Sequence, residues 1–288
     1  MFQKNNRPVF YILLFLCLAN TFAWLAVFNL SGTDFLEVIF FDVGQGDAIF
    51  IKTPQNRQIL IDGGPDSVIL EKLNENLPSW DRTIDLLVLT HPDSDHITGL
   101  LHVLSNYKIK NILWTGVPKE TAVFEKWQEL IGKENARIIT AKAGQKITAS
   151  GASLEVLFPF ESLEGELIKD INNTSVVLRL DFGEVSFLFT GDVYESTEKE
   201  LVKRGSAINS DVLKVAHHGS KTSTCQEFIA EVLPEIAVIS AGLDNSYGHP
   251  HEQTLDTLQK YDITIFRTDL DGDIKIISDG TNYGISTF

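Results

Sequence analysis

His91, Asp93, Asp95 and His96 all fall within the short stretch THPDSDHITGL. Imidazole nitrogens and carboxylate oxygens are ligands that divalent first-row cations accept, and four of them on one turn can be aimed at a common point. Asp95 and His96 are adjacent and must point in different directions, which suits two neighbouring metals or one metal and its water. A plainer alternative is that Asp93 or Asp95 only caps the helix starting near His96. It accounts for one carboxylate and leaves two histidines bracketing two aspartates without a reason. Downstream, Asp192 closes the apolar run FLFTGD, and His217 and His218 follow DVLKVA. Taken alone, Asp192 is equally open to a turn or capping role. One of His217 and His218 is open to being a satisfied core histidine, since adjacent strand residues face opposite ways. Asp62 in LIDGG is either a turn residue before Gly63 and Gly64 or an orienting carboxylate. His249, between Gly248 and Pro250, stands at a predicted helix entrance, where it would meet a phosphate or carboxylate or else serve the turn. Exposed helix positions suffice for His102 and His251.

The elements that must hold these groups alternate short β-rich runs with helical stretches. Strands are predicted over 35–43, 47–53, 57–62, 84–90, 111–116, 136–140, 153–158, 174–182, 185–191, 210–217, 236–240, 263–267 and 273–278. Helices are predicted over 67–77, 96–106, 120–133, 194–204, 224–232 and 251–260. Early strands pair through tight turns and later ones alternate with helices, the pattern of a layered α/β architecture with mixed sheets. No Gly/Ser-rich or Pro-rich linker and no internal repeat divides residues 34–288, so they are expected to form one domain.

Residues 1–33 are of another kind. Lys4 and Arg7 precede VFYILLFLCLANTFAWLAVF, and Asp34 and Glu37 follow it. The run is long enough to span a bilayer, and the charge asymmetry predicts a single-pass anchor with the N-terminus inside and residues 34–288 outside the cell membrane. A signal segment cleaved after Ala23, giving a secreted protein, and a buried core helix are the alternatives. The formal net charge of −15 repels phosphate backbones and disfavours non-specific nucleic-acid binding. A metal centre creates its own local positive potential, to which Lys203, Arg204, Lys214 and Lys221 are candidates to add. The two cysteines, Cys17 and Cys225, argue against an internal disulfide because the first lies in the apolar run.

His91-x-Asp93-x-Asp95-His96 resembles the HxHxDH signature of the metallo-β-lactamase superfamily, in the HxDxDH form of the C-terminal hydrolase domain of the ComEC competence family. FFDVGQGDAIFI with Asp42 and Asp47, LIDGGP, NNTSVVLRL, FLFTGD, LKVAHHGSKTS and NSYGHP are similar to blocks of that family in the same order. The resemblance implies a four-layer αββα fold with two mixed sheets. It also implies a centre for one or two divalent ions, Mn²⁺ or Zn²⁺, held by His91, Asp93, Asp95, His96, Asp192 and His217, with Asp192 bridging. Asp62 would orient the ligand turn from behind, Asp95 and His218 would be the catalytic pair, and His218, Ser220 and His249 would face the substrate.

Two departures stand out. Many members carry histidine where this chain has Asp93, and another histidine between the ligand turn and the bridging aspartate. Between His96 and Asp192 this chain has only His102, on the helix, and DINNTSVVL offers Asp170, Asn172 or Asn173 instead. The first metal position would then be harder, favouring Mn²⁺ or a labile Zn²⁺. A single-metal site of Asp95, His96, Asp192 and His217 is the fallback. The implied activity is hydrolysis of a phosphodiester, single-stranded DNA among the candidates, by hydroxide formed between cations about 3.5–4 Å apart. Extracellular hydrolysis of another ester or amide (a choline phosphodiester, a lactone, a β-lactam) would use the same centre. A non-enzymatic surface-binding protein with a degraded site is the third expectation, and no protein partner is evident.

Overall fold

The computed structural model describes residues 7–30 and 34–288; Lys4 and the boundary drawn at residue 33 lie outside them. Among the described residues fifteen strands form two sheets. The first contains β1 (Leu36–Phe40), β2 (Ile49–Lys52), β3 (Gln58–Ile61), β4 (Thr83–Leu89), β5 (Lys108–Trp114) and β6 (Arg137–Thr140) in that spatial order. The second runs from β7 (Lys146–Ala149) through β8 (Ala152–Phe158), β9 (Val177–Phe182), β10 (Val185–Phe189), β11 (Val212–Lys214) and β12 (Ile236–Ile239) to β13 (Thr264–Arg267). The chain then returns: β14 (Ile274–Ser278) pairs antiparallel with β1, and β15 (Tyr283–Thr287) forms the outer edge of the first sheet.

Both sheets are mixed. β1, β2 and β3 pair antiparallel and β3 to β6 parallel; β8, β9 and β10 pair antiparallel and β10 to β13 parallel. Side chains alternate across a strand, and that period sorts the core into layers. Leu36, Val38 and Phe40 of β1 join Phe187 and Phe189 of β10 in the space between the sheets. Ile39 and Phe41 turn outward with Leu87 against Ile97, Leu100 and Val103 of α3 (Ser94–Asn106) and Trp127 of α4 (Ala122–Lys133). Leu188 and Leu213 turn outward from the second sheet to meet Leu201 of α5 (Glu195–Lys203), Phe228 of α6 (Gln226–Val232) and Leu258 of α7 (Glu252–Gln259). The result is helix, sheet, sheet, helix, as expected.

The predicted helices are present, the one over 67–77 as α2 (Val68–Asn76); most are trimmed by a residue or two at their ends, whereas α3 begins two residues earlier than predicted, at Ser94. Two strands were not predicted. β7 (KITA) and β15 (YGIST) lie at sheet edges with much of their length exposed, so neither carries the apolar alternation by which a strand is read. The predicted strand over 210–217 shortens to Val212–Lys214, because the chain turns at Ala216–Gly219.

The N-terminal helix, α1 (Arg7–Leu30), contains a window, Arg7–Val27, with a mean hydropathy of 2.1 and none of it buried. It can be a membrane span or a signal sequence by length and composition.

Close approach fixes where the ligand turn sits. α3 is pressed onto Gly63: a Cβ on Gly99 would lie 1.8 Å from the Gly63 carbonyl oxygen. On the other sheet Gly191 has φ +51°, and a Cβ there would meet Ser175 Cβ at 2.7 Å. The same Cβ on Gly191 would lie 3.2 Å from Thr90 Cβ, so it is at Gly191 that the carboxyl ends of β4 and β10 come together.

Glu198 of α5 is fully buried and accepts hydrogen bonds from the amides of Thr224 and Cys225 at 2.7 and 2.9 Å. Burial pushes its carboxyl from 4.5 up to about 7, against the pull of those two donors. A folded-state value above the unfolded one means the native state binds the extra proton. The associated stability is present in full below about pH 4.5 and is lost as pH rises through 7. At roughly 1.4 kcal/mol per unit, wild type should lose about 2.5 kcal/mol more than Glu198→Gln between pH 5 and 8 in urea unfolding. Parallel pH profiles for the two proteins would remove Glu198 from that account.

Candidate metal centre

The carboxyl end of β4 delivers Thr90 and His91, and the first turn of α3 carries Asp95 and His96. Asp62, just past β3, accepts hydrogen bonds from the Thr90 amide (2.8 Å) and hydroxyl (2.6 Å) and lies 2.8 Å from His96 Nδ1. This fixes the ring of His96 so that Nε2 faces inward. His91 is fixed in the same sense by Thr90 Oγ1 (3.0 Å) and Ser175 Oγ (3.2 Å) on its Nδ1. The second sheet supplies Asp192, just after β10, and His218, whose Nδ1 lies 2.8 Å from the Ser240 carbonyl.

These groups converge. Asp192 Oδ2 lies 3.3 Å from both His96 Nε2 and His218 Nε2 and 3.9 Å from His91 Nε2; Asp95 Oδ2 is 3.3 Å from His218 Nε2. None of the three Nε2 atoms is aligned for a hydrogen bond, and with Asp192 Oδ1 they are buried without a partner. A buried polar atom left unpaired costs about 1–3 kcal/mol, and the three imidazole nitrogens gathered around Asp192 Oδ2 are what a cation would satisfy. The donors form two overlapping groups, His91–His96–Asp192 and Asp95–His96–His218. Both have the mixed nitrogen and oxygen character that Mn²⁺ or Zn²⁺ takes.

The electrostatics point the same way. Burial alone would strip protons from His96 and His218, yet the carboxylates around them, Asp192 foremost, raise both well above the ordinary imidazole range. Asp192 and Asp95 are held below the usual carboxylate range despite burial, chiefly by those imidazoles. His91 is pushed down to about 4 by burial and by the charge on His96. A divalent ion held here would replace protons on these imidazoles.

Several expected residues stand elsewhere. His218, not His217, joins the convergent donors; His217 Nδ1 lies 3.1 Å from Thr222 Oγ1 and its Nε2 3.3 Å from Asn172 Nδ2. Both histidines have positive φ, 51° and 55°, in the Ala216–Gly219 turn, so strand alternation does not govern which one faces inward. Asn173 accepts from the Tyr194 amide (3.0 Å) and the Thr197 hydroxyl (2.7 Å), closing the start of α5 rather than supporting the donors. Ser220 is buried, its hydroxyl 3.0 Å from Thr222 Oγ1. Asp93 is 4.0 Å from His91 Nε2 at its nearest, and its other oxygen is 2.5 Å from Lys119 Nζ. His249 stands beside the centre, its ring stacked on His218 at 6.2 Å and on Tyr247 at 5.7 Å. Burial and the neighbouring His218 and His217 push it down to about 4.

Two contributors, Ser175 and Lys119, went unread. Ser175 sits where a further histidine was sought and links His91 to the Asp192 amide (3.0 Å). Lys119 pairs with Asp93. Of the four basic residues considered above, Lys214 alone is fully buried, and it contacts Asp47 and lies 3.8 Å from Asp192 Oδ1. Arg204 instead pairs with Glu200 on the surface of the protein.

Residues 41–242 match the family described as Metallo-beta-lactamase superfamily. The chain is 35% identical over 260 residues to ComE operon protein 3 of Bacillus subtilis, covering 83% of this chain and 32% of that protein. It is 34% identical over 241 residues to competence protein ComA of Neisseria gonorrhoeae, again covering 83% and 32%. The chain thus spans about a third of the length of these curated relatives. Among solved structures it is similar in fold to the metallo-beta-lactamase fold protein YhfI of Bacillus subtilis, with TM-score 0.55 and 15% identity, covering 85% of this chain and all of that one. CmlA, a diiron beta-hydroxylase from Streptomyces venezuelae, gives TM-score 0.54 and 15% identity over 84% of this chain and 54% of its own.

Proposed function

Taking as premise that this chain belongs to the metallo-beta-lactamase superfamily, we propose that residues 34–288 are a divalent-metal-dependent phosphodiesterase, with single-stranded DNA outside the cell as its candidate polymer substrate. The observation that carries the metal-centre reading is the convergence of the buried, unpartnered Nε2 atoms of His91, His96 and His218 on Asp192 Oδ2. The names of the relatives, a competence protein and a product of a competence operon, support DNA handling over other esters. α1 would hold the domain at the membrane.

In this reading His91, His96 and Asp192 would hold one ion and Asp95, His96 and His218 a second, with Asp93 beside the first if it parts from Lys119. His218 replaces His217 as the ligand. Bound ions would acidify water and stabilise negative charge on phosphoryl oxygens. Asp95, partly exposed at the mouth, holds and passes on a proton. Asp62 keeps His96 oriented, and Lys119 would bring a positive charge beside Asp93. His249, uncharged near neutral pH, offers a ring face and one N–H at the entrance rather than a positive charge.

The test is an assay on a small phosphodiester and on single-stranded DNA with added Mn²⁺ or Zn²⁺, comparing wild type with a His91→Ala, Asp95→Ala double variant. Cleavage of both substrates by wild type alone is expected. Equal rates in the two proteins would remove the centre, and cleavage of the small ester without DNA would leave a phosphodiesterase that is not a nuclease.

A further inference from the structure

A lysine at the heart of a cation site is unexpected, because an ammonium repels the metals the site would hold. Lys214 ends β11 with its side chain fully buried between the sheets. Its Nζ contacts Asp47 Oδ2, donates to the Gly191 carbonyl at 3.3 Å and lies 3.8 Å from Asp192 Oδ1. Asp47 is buried as well. Its Oδ1 lies 3.4 Å from His218 Nδ1, its amide donates to the Asp95 carbonyl (3.3 Å), and its carbonyl accepts from Gly64 (2.8 Å). The pair therefore touches the back of His218 and the rear oxygen of Asp192, and is tied through the backbone to the turn carrying Asp95. Asp47 also belongs to a donor group with Asp192 and His218, and the ammonium is the cation that group already holds.

We propose that Lys214 and Asp47 form a positioning unit for the metal centre: Lys214 fills the cation place behind Asp192, and through Asp47 it backs His218, whose Nδ1 the Ser240 carbonyl holds at 2.8 Å, so that the ring stays with Nε2 facing the ions. The inference rests on the metal-centre reading above. Neither residue touches the reacting atoms.

Removing Lys214 alone confounds two opposed effects. Loss of repulsion strengthens metal binding, and loss of alignment weakens it; the unpaired Asp47 would also destabilise the fold. Replacing both partners, Asp47→Leu with Lys214→Met, changes the net charge by nothing and exchanges a buried ion pair for apolar groups, a swap that is often neutral or stabilising. Only alignment is lost. The full-length chain in detergent is titrated with Mn²⁺ and Zn²⁺ in competition with a chromophoric chelator, and its melting temperature is taken in EDTA. Groups that orient metal-ligating histidines typically contribute about 10–100-fold in affinity. The double variant should therefore melt with wild type in EDTA while binding metal about 10–100-fold more weakly. Should that variant melt early, Asp47→Asn with Lys214→Gln, also charge-neutral, is read by the same two measurements. Affinity equal to wild type overturns the positioning role and leaves the metal centre standing. A wild-type chain that binds neither ion overturns the metal centre, and the positioning role with it.

Discussion

Asp192→Ala should slow hydrolysis of a metal-supplemented phosphodiester by about a thousand-fold or more, since losing about 4 kcal/mol of transition-state stabilisation corresponds to that factor. No other side chain approaches all three inward-facing imidazole nitrogens among the described residues: its Oδ2 stands within 3.3–3.9 Å of His91, His96 and His218. It is also the carboxylate contributed by the second sheet to the group otherwise made by His91 and His96. Its removal weakens both ion positions together, whereas loss of His91 weakens one. The measurement is initial rate against metal concentration. If added Mn²⁺ or Zn²⁺ brings the variant back to the wild-type rate, Asp192 contributes affinity alone; if the variant matches wild type at low metal, it is no ligand.

The second large effect is on stability. With Mn²⁺ or Zn²⁺ about a thousand-fold above its dissociation constant, binding to the native state alone adds about 4 kcal/mol. For a chain of this size that raises the melting temperature by roughly 8–16 °C relative to the chelated protein. The basis is the crowd of buried like charges: Asp47, Asp62 and Asp192 are each almost wholly shielded from water. Among the described residues Lys214 is the only fully buried lysine among them. Scanning calorimetry with metal and with EDTA reads the shift directly. Coincident transitions would mean that no ion binds the native state, and the imidazole convergence would then be a packing feature.

Local sequence carried a good deal of this. His91, Asp95 and His96 lie on one turn, Asp62 and Asp192 end apolar runs, and alternation and helical periodicity located most of the elements that hold them. What escaped was set by geometry across the chain. His217 is expected as the ligand because it ends the predicted strand, but the strand stops at Lys214 and both histidines adopt left-handed backbone angles, so neither strand end nor strand alternation decides which one faces inward. Ser175 is a small hydroxyl with no distinguishing neighbour in sequence, and its part depends on Gly191 allowing the two sheets to touch. Lys214 is one of four basic residues whose place the sequence leaves open, and only Asp47, far away in the chain, singles it out by lying beside it. Asn173 and Asp170 were sought as ligands because the missing histidine needed a substitute, yet Asn173 is taken up by the start of α5.

The return of β14 and β15 to the first sheet gives the molecule the character of two interlocked hooks. The segment up to β6 owns His91, Asp95 and His96; the segment from β7 onward owns Asp192 and His218, and it reaches back to clasp β1. A nick in the connection between β6 and β7 would leave neither fragment with a complete chelating set. The fragments would still be latched through the β1–β14 seam, and a captured ion would act as a rivet between them.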